Sequence, residues 1–495
     1  MNDRALMFTA IALTGTIVGW GAYDSIGLAG FADSVVQLMF QSRGWFIMLT
    51  TNILLISCAW LAFSRYGKIR LGQDEERPEF STGSWLTMMF AAGMGVGLLF
   101  YGVAEPATHF LFAEQELPPR LAASASIFVT IFHWGFHAWA IYGLTGLVIA
   151  YFSYRIGAPT MLSSPIVVAF GTGWLPKTVG WGINVLAIYA IAIGLAGSVA
   201  MGVFQVQSGV ADLVGIQGGG LGLSFGVFGV LCVAYFIPLL KDLGDGMAKL
   251  SNTAIAITIA LLCYIVLTGP TSFLMSSTLD ATGNYLSQAF WQGFHTYAFF
   301  GGEVADWFSS WTLNYMVWWL AWAPFVGVFI ARISKGRTIR EFVLGVLLAP
   351  TGFSIVWFSI LGSMGFYSAK NGAFSLEQAR DSADSATFAL LESLPLSDVA
   401  SVAVIIAASL FIVTSVVSAA YVLAMFSSGG DENPSTRVKL VWGALLGALG
   451  LVMIITESVD AVRSIIAMSA NPFVFIILLL LVCLLKALKK EKGAR

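Results

Sequence analysis

Long apolar runs separated by short polar connections follow one another along almost the whole chain. A helix that crosses a membrane needs about 20 mostly apolar residues, and twelve runs are long enough. They lie at roughly residues 5–23, 44–63, 85–105, 122–151, 180–208, 221–240, 250–269, 311–331, 341–364, 398–427, 438–456 and 465–487. The pattern predicts an all-α polytopic membrane protein with twelve transmembrane helices. The first run lacks a small-x-small cleavage site, so we expect a retained helix rather than a signal peptide.

The composition supports a membrane protein. Of the 495 residues, 58% are hydrophobic and 11% are charged, whereas soluble proteins carry about 25% charged residues. This balance excludes an ordinary soluble enzyme. We expect membrane lipid around the chain and no nucleic-acid partner.

Basic residues concentrate in every second connection between the predicted helices. With twelve spans, 20 of the 25 Lys and Arg residues fall on the side of the N-terminus. The other side holds only Arg43, Arg120, Lys370, Arg380 and Arg463. Cytoplasmic connections of membrane proteins are enriched in Lys and Arg, so both termini are predicted to be cytoplasmic.

Glycines at alternate positions mark the third predicted helix, which reads FAAGMGVGLLFYGVAEP and contains Gly93, Gly95 and Gly97. A glycine inside a helix costs about 1 kcal/mol relative to alanine. One explanation is close packing of another helix against small residues. The other is a backbone that opens toward a cavity, since irregular backbone is tolerated in a membrane only where it is buried in protein or lines a cavity.

The eighth predicted helix favours the cavity, because WTLNYMVWWLAWAPFVGVFIARIS places Pro324 and Gly327 in mid-span. Transporter sites often lie where discontinuous helices occupy corresponding positions in two repeats. The third and eighth helices are five apart, and this odd offset inverts one repeat relative to the other. We therefore expect a 5+5 inverted repeat, helices 3–7 and 8–12, preceded by two additional N-terminal helices.

The predicted inverted repeats divide a single membrane domain into five segments. The boundaries are 1–84 for the two additional helices and a cytoplasmic loop, 85–269 for the first repeat, 270–310 for an outer segment, 311–487 for the second repeat and 488–495 for a short cytoplasmic tail. The outer segment has no Lys or Arg and includes an aromatic stretch, Ala289 to Phe300. We expect this stretch to lie along the outer membrane surface.

Aromatic residues recur at helical spacing on helices 4 and 8. They are Trp134, Trp139 and Tyr142 on helix 4, and Trp318, Trp319 and Trp322 on helix 8. Interfacial belts are the usual reason for membrane tryptophans, but Trp139, Trp319 and Trp322 lie too deep for a belt. Several π faces around a volume without a carboxylate favour a quaternary ammonium or similar onium cation.

Ionisable residues are scarce inside the predicted spans. No Asp, Glu, Lys or Arg occupies the middle of a span, and Glu105 lies near one end. Proton-coupled pumps usually need such residues, whereas hydroxyls and free carbonyls can hold sodium. His133 and His137 are spaced i, i+4 and could pair on a metal. Packing and hydrogen bonds between helices explain these histidines more simply.

Four motifs together resemble the betaine/choline/carnitine transporter family. They are FAAGMGVGLLFYGVAEP, HWGFHAWAIYGL, WWLAWAPFVGVFIARISKGRTIREF and FIVTSVVS. The resemblance runs from about Arg65 to the last helix. It implies a fold like that of the leucine-transporter superfamily, alternating access, a bacterial plasma-membrane location and a homotrimer. It also implies an aromatic box for a trimethylammonium group, formed by Trp134, Trp139, Tyr142, Trp319 and Trp322 with Trp318 beside them.

The resemblance further implies a sodium site between helices 3 and 10. Matching positions are the carbonyls of Ala91, Met94 and Phe411 and the hydroxyls of Thr414 and Ser415. Backbone at Met94 and Gly95 would face the ion or the carboxylate of the substrate. The two hydroxyls could instead bond back to the preceding helical turn. No cofactor is expected apart from sodium as the coupling ion.

Departures from the family pattern concern ions and substrate. A second sodium site of the family uses hydroxyl residues where this chain has Ile191 and Leu195. Met316, Val417 and Ala138 also replace residues that are common in betaine carriers. The sodium stoichiometry therefore stays open, as do betaine, choline, carnitine, sulfonium and sulfonate compounds as substrates.

The leading interpretation is sodium-coupled symport of a small onium zwitterion such as glycine betaine. Sodium-independent exchange of a precursor for a product is the alternative within transport. A membrane metal enzyme using His133 and His137 is the competing class, and a non-transporting osmosensor is disfavoured by the short tails.

Overall fold

All regular elements among the described residues are helices. The computed structural model describes residues 3–93, 95–216, 219–241 and 244–491. The first ten helices are α1 (Asp3–Tyr23), α2 (Ser25–Phe63), α3 (Thr82–Gly93), α4 (Val96–Ala113), α5 (Pro119–Trp134), α6 (Phe136–Ala150), α7 (Ser164–Phe170), α8 (Trp174–Leu213), α9 (Gly220–Lys241) and α10 (Gly244–Thr268). The next ten are α11 (Thr271–Gln292), α12 (Gly302–Phe308), α13 (Asn314–Ile333), α14 (Ile339–Lys370), α15 (Leu376–Asp381), α16 (Ala386–Glu392), α17 (Ser397–Ser427), α18 (Thr436–Ile455), α19 (Val459–Ala470) and α20 (Phe473–Leu488).

Short irregular turns join some of these helices into longer rods. A 3₁₀ turn occupies Arg65–Lys68, and π-helical turns occupy Tyr151–Arg155 and Ser309–Leu313. Eleven helical segments of the described chain are long and apolar enough to cross a membrane, and α19 with α20, bent by 40°, makes a twelfth. The predicted all-α membrane protein with twelve spans is confirmed.

The second helix is longer than the sequence predicted. Helix α2 runs for 39 residues, whereas only residues 44–63 read as a span. It begins after Asp24, whose carboxylate accepts a hydrogen bond from the Gly27 N–H at 2.8 Å, a common way to start a helix. The hydropathy pattern missed the first half because Asp33, Gln37 and Arg43 interrupt it.

The amphipathic helix of the outer segment lies earlier in the chain than predicted. It is α11, and it ends at Gln292, so most of the predicted stretch from Ala289 to Phe300 forms turns instead. Tyr297 has a positive φ of 54°, which a continuing helix does not allow. Helix α11 buries Tyr285 completely while Leu279 is exposed, so it presents one face to the protein.

The predicted interruption of helix 3 is confirmed. Helix α3 ends at Gly93 and α4 begins at Val96, and Gly95 between them has extended backbone with φ −88° and ψ −151°. Met94 lies outside the described residues. The first span of the predicted first repeat is therefore two helices joined at the glycine motif.

The predicted interruption of helix 8 is wrong, because α13 continues through Pro324. Gly327 serves helix packing instead. A Cβ atom on Gly327 would lie 2.7 Å from Thr145 Cγ2 and 3.2 Å from Gly146 N on α6. A Cβ on Gly146 would in turn lie 3.2 Å from the Gly327 carbonyl oxygen. The two glycines let the backbones of α6 and α13 approach closely, as small residues do in membrane helix pairs.

The break that the sequence did not predict is in helix 4, where α5 ends at Trp134 and α6 begins at Phe136. Gly135 between them has φ −107° and ψ −143°. Side chains satisfy the backbone groups that the break frees. Ser354 Oγ donates to the Trp134 carbonyl at 3.0 Å, and the Phe136 N–H donates to the Tyr285 hydroxyl at 2.7 Å. Buried backbone polar groups need such partners.

Candidate functional site

A cavity of about 410 Å³ lies where the two broken helices meet α8 and α13. Its wall is mostly aromatic, and no described lining residue is charged. The lining residues are Gly95, Val96, Gly97, Trp134, Tyr142, Ser198, Tyr315, Trp318, Trp319 and Trp322.

The aromatic rings meet mostly at steep angles, so faces and edges alternate around the wall. Trp134 and Trp319 stand 5.5 Å apart at 88°, and Tyr142 and Trp319 stand 4.8 Å apart at 64°. Trp139 does not line the cavity, but it packs behind the wall, 5.5 Å from Tyr142 and 6.2 Å from Trp319. The structure thus brings together all six predicted aromatic residues, five at the wall and one behind it.

Two wall residues with polar groups were missed at the sequence level. Tyr315 precedes Trp319 by one helical turn on α13, and this i, i+4 spacing could have indicated it. Ser198 comes from α8, which carries no aromatic signal near this position. Its apolar surroundings in the sequence gave no indication of a ligand.

Gly97 has a steric role at the wall. A Cβ atom there would lie 3.0 Å from Trp134 Cη2, which is closer than ordinary van der Waals contact. A glycine at this position lets the indole ring lie directly against α4. The alternate glycines of helix 3 therefore combine a backbone break at Gly95 with close packing at Gly97.

One wall residue offers an unused hydrogen bond. Trp322 Nε1 is buried, and none of the described residues accepts a hydrogen bond from it. An indole N–H can only donate, and a buried donor without a partner costs about 1–3 kcal/mol. The atom therefore favours a ligand that carries an acceptor.

The structure places some of the predicted sodium ligands near the break in helix 3. Thr414 Oγ1 donates to the carbonyls of Leu410 at 2.9 Å and Phe411 at 3.2 Å. A Cβ atom on Gly95 would lie 4.0 Å from Ser415 Oγ. Ala91 is in the last turn of α3, and Met94 lies outside the described residues. Ser415 of α17 thus lies near the break, while the Thr414 hydroxyl bonds back along its own helix.

Larger cavities lie on two sides of the aromatic cavity. One of about 1500 Å³ reaches Tyr101 and Trp311, and the ring of Tyr101 stands 6.2 Å from that of Trp318. Another of about 1160 Å³ reaches Phe325, whose ring stands 6.0 Å from that of Trp322. Aromatic contacts therefore separate the small cavity from both larger ones.

The carboxylate of Glu105 is buried behind the cavity wall, although the sequence predicted that this residue lies near the end of a helix. Glu105 is in the middle of α4 and fully buried. Its Oε2 accepts hydrogen bonds from Trp134 Nε1 at 2.9 Å and from the Tyr315 hydroxyl at 2.5 Å. Its Oε1 lies 2.7 Å from His133 Nδ1 and 3.4 Å from His109 Nε2. The expectation that no carboxylate lies deep in a span is thus wrong, and Glu105 is an additional member of the site.

Comparison with known proteins identifies the family. The sequence profile of the BCCT, betaine/carnitine/choline family transporters matches residues 5–493. The chain belongs to this family. It is 36% identical to the glycine betaine transporter OpuD of Bacillus subtilis, over 99% of this chain and 95% of that protein.

Two further relatives extend the comparison. The chain is 35% identical to a glycine betaine transporter of Acinetobacter baylyi, over 98% of this chain and 72% of that protein. It is 31% identical to the betaine/ectoine transporter LcoP of Corynebacterium glutamicum, over 99% of this chain and 79% of that protein. This BCCT member is thus a transporter of betaine-like substrates and a multi-pass membrane protein of a bacterial transporter family.

The membrane-enzyme alternative fails, because the family consists of transporters. The two histidines also face different partners. His137 Nε2 bonds to Asn52 Oδ1 at 3.0 Å, whereas His133 bonds to Glu105 and, through Nε2, to Thr312 Oγ1 at 2.9 Å. Hydrogen bonding between helices, the simpler explanation at the sequence level, is what the structure shows.

A different trio has ligand atoms within 4.8 Å of one another, namely Glu105, His109 and His133. Its hydrogen bonds do not suit a metal. Trp307 Nε1 donates to His109 Nδ1 at 3.1 Å, so the proton of a neutral His109 is on Nε2, the atom that faces Glu105. A protonated ring nitrogen cannot coordinate a metal.

Proposed function

We propose that this BCCT member imports a small onium zwitterion of the glycine betaine type by sodium-coupled symport with alternating access. The observation that supports this most is the uncharged aromatic cavity beside the break in helix 3. A quaternary ammonium cannot donate a hydrogen bond, so contact with π faces is its main specific attraction. Trp134, Tyr142, Trp318 and Trp319 offer these faces.

The other end of a zwitterion needs hydrogen-bond donors. The unpartnered Trp322 Nε1 is one, and the Ser198 hydroxyl lines the same cavity. Relatives named for glycine betaine and for betaine and ectoine support a substrate that combines a carboxylate with a positive headgroup. We therefore propose the onium group among the rings and the carboxylate at Trp322.

The coupling ion is proposed to bind between the helix 3 break and α17. The Phe411 carbonyl and the Thr414 hydroxyl are 3.2 Å apart, close to the spacing of about 3.4 Å between adjacent ligands of a hard cation held at about 2.4 Å. The Ser415 hydroxyl would add a third oxygen. Ile191 and Leu195 on α8 are fully buried and apolar, so we propose a single ion.

Coupling then arises because the ion and the substrate both shift the population of transporter conformations toward the same state. Ion and substrate share the break at Gly95, so each stabilises the geometry that the other needs. We further propose that helices 3–7 and 8–12 form inverted repeats that alternate access between the two larger cavities. A homotrimer with cytoplasmic termini completes the proposal.

The aromatic cavity is tested by Trp319→Ala, with Trp174→Ala as the control because Trp174 is largely exposed. We expect the Trp319 variant to lose measurable uptake of radiolabelled glycine betaine in proteoliposomes, because a ring in contact with the cation contributes about 1–2 kcal/mol and two neighbouring rings shift. The control should transport normally. Normal uptake by Trp319→Ala would rule out the aromatic site.

The proposed contact between the substrate carboxylate and Trp322 is tested by a variant that removes the indole N–H but keeps an aromatic ring. Trp322→Phe should raise the KM for glycine betaine about tenfold or more, the effect of one lost hydrogen bond to a charged acceptor. Protein stability should not fall, because this N–H has no partner among the described side chains and backbone groups. An unchanged KM would place the carboxylate elsewhere.

Sodium coupling is tested with Thr414→Ala combined with Ser415→Ala. We expect the sodium activation midpoint of uptake to rise at least tenfold. Thr253→Ala is the matched control, because Thr253 makes the same bond to its own helix on an exposed face. An unchanged sodium curve would remove the proposed ion site, and counterflow without a sodium gradient would show exchange instead of symport.

A further inference from the structure

The carboxylate of Glu105 lies directly behind two rings of the cavity wall. Trp134 and Tyr315 both line the cavity, and both donate their polar hydrogen atom to Glu105 Oε2. The proposed onium group would therefore have aromatic rings next to it and a carboxylate just behind them. Neither the aromatic contacts nor the ion site accounts for this acid.

The hydrogen bonds indicate that the carboxylate is ionised. The indole of Trp134 can only donate, and the tautomer of His109 set by Trp307 makes its Nε2 a donor as well. His133 Nδ1 approaches Oε1 to 2.7 Å. Trp134 Nε1 therefore donates to Oε2 and His109 Nε2 to Oε1, and the Tyr315 hydroxyl adds a further hydrogen bond at Oε2, an arrangement that favours the charged form and holds it in place.

Charged groups outside this cluster lie on α19, beyond the ring of Trp311. Arg463 lies over the ring of Trp311 at 4.5 Å and contacts Asp460 at 3.4 Å. The ring of Trp311 in turn stacks at 6.2 Å on that of Tyr315. The arginine is thus separated from Glu105 by two aromatic layers and is already paired with an acid. Pairing with Asp460 reduces the positive field that Arg463 adds at the cavity.

We propose that Glu105 is a positioning and selectivity residue: its negative charge, transmitted through Trp134 and Tyr315, makes the cavity prefer a cationic headgroup over a neutral headgroup of the same shape. The inference rests on the proposed onium function and deepens it. Hydrogen bonding to the carboxylate also makes the indole and phenol rings more electron-rich, which strengthens their attraction for a cation.

Two ligands of the same shape but different headgroup charge distinguish an electrostatic effect from a steric one. Glycine betaine and 3,3-dimethylbutanoate differ only in the central atom of the headgroup, nitrogen in one and carbon in the other. The measurement is their displacement of radiolabelled glycine betaine from the purified transporter at fixed sodium. If the headgroup lies about 8 Å from the carboxylate, a unit charge there, at an effective dielectric constant of about 20, favours the cation by roughly thirtyfold.

Glu105→Gln removes the charge with little change in shape, so the ratio of the two affinities should fall by roughly tenfold or more. Tyr315→Phe keeps the charge but loses one hydrogen bond, so both affinities should weaken and the ratio should fall much less than it does in Glu105→Gln. Glu114→Gln makes the same exchange at the exposed end of α4 and should change neither.

An equal weakening of both ligands in Glu105→Gln would overturn the charge effect and leave a purely structural role. If this variant does not accumulate, the wild-type ratio decides: a preference for glycine betaine above about thirtyfold, more than a ring contact of about 2 kcal/mol supplies without the carboxylate, supports the proposal, and a smaller one overturns it. Failure of the wild-type protein to bind glycine betaine would instead refute the proposed function. The two failures are therefore distinguishable.

Discussion

The break in helix 4 depends on a tyrosine from a different part of the fold, and Tyr285→Phe tests this dependence. The Phe136 N–H, freed where Gly135 interrupts the helix, donates to the Tyr285 hydroxyl at 2.7 Å. Tyr285 is fully buried, so water cannot replace the lost hydroxyl. The substitution removes one hydrogen bond and leaves a buried N–H without an acceptor, at a cost of about 1–3 kcal/mol.

The assay is equilibrium unfolding in mixed micelles, followed by tryptophan fluorescence, with the free energy of unfolding compared between variants. Tyr367→Phe is the control, because Tyr367 is exposed at the end of α14, and it should change stability by less than about 0.5 kcal/mol. If Tyr285→Phe costs no more than this control, the tyrosine does not hold the break open and the reasoning fails.

Two other predictions concern the wall and the end of the last helix. Gly97→Val should lower the uptake efficiency for glycine betaine at least tenfold, because even its Cβ would displace the Trp134 ring, whereas Gly83→Ala, with open space around it, should not. Burial raises the pKa of Glu491, but its hydrogen bonds with Arg155 and Tyr151 outweigh burial and lower it overall. The stability that this contact contributes should be complete above about pH 4.3 and lost at lower pH, in thermal unfolding compared with Glu491→Gln.

The helices and the aromatic cavity could be predicted from the sequence because both depend on local patterns. Length and hydropathy determine whether a segment can cross a membrane, and i, i+3 and i, i+4 spacing brings rings to one face of a helix. The rings of α6 and α13 met as expected. Even so, Trp139 lies behind the cavity rather than at its wall.

The breaks could not be predicted reliably, because a glycine or proline has several uses. Pro324 looked like a break, yet α13 continues through it, whereas Gly135 interrupts a helix with no proline nearby. The difference lies in partners distant in the chain. Tyr285 and Ser354 satisfy the backbone freed at Gly135, and a single sequence does not show that they meet there.

Glu105 was underestimated for the same reason. Its four hydrogen-bonding partners come from α4, α5 and α13, and their convergence is a property of the folded protein. A carboxylate within an apolar run is costly in a membrane unless it is fully hydrogen-bonded. The presence of this acid in the sequence was therefore informative, although its partners were not visible there.

The close crossing of α6 and α13 limits how this transporter can move. Gly146 and Gly327 bring the two backbones close together, and even a methyl group at either position would collide with the opposite helix. We therefore expect the two helices that carry Trp139, Tyr142 and Trp319 to move as one body. Their rings would then keep their mutual spacing during transport, while other helices open and close the gates.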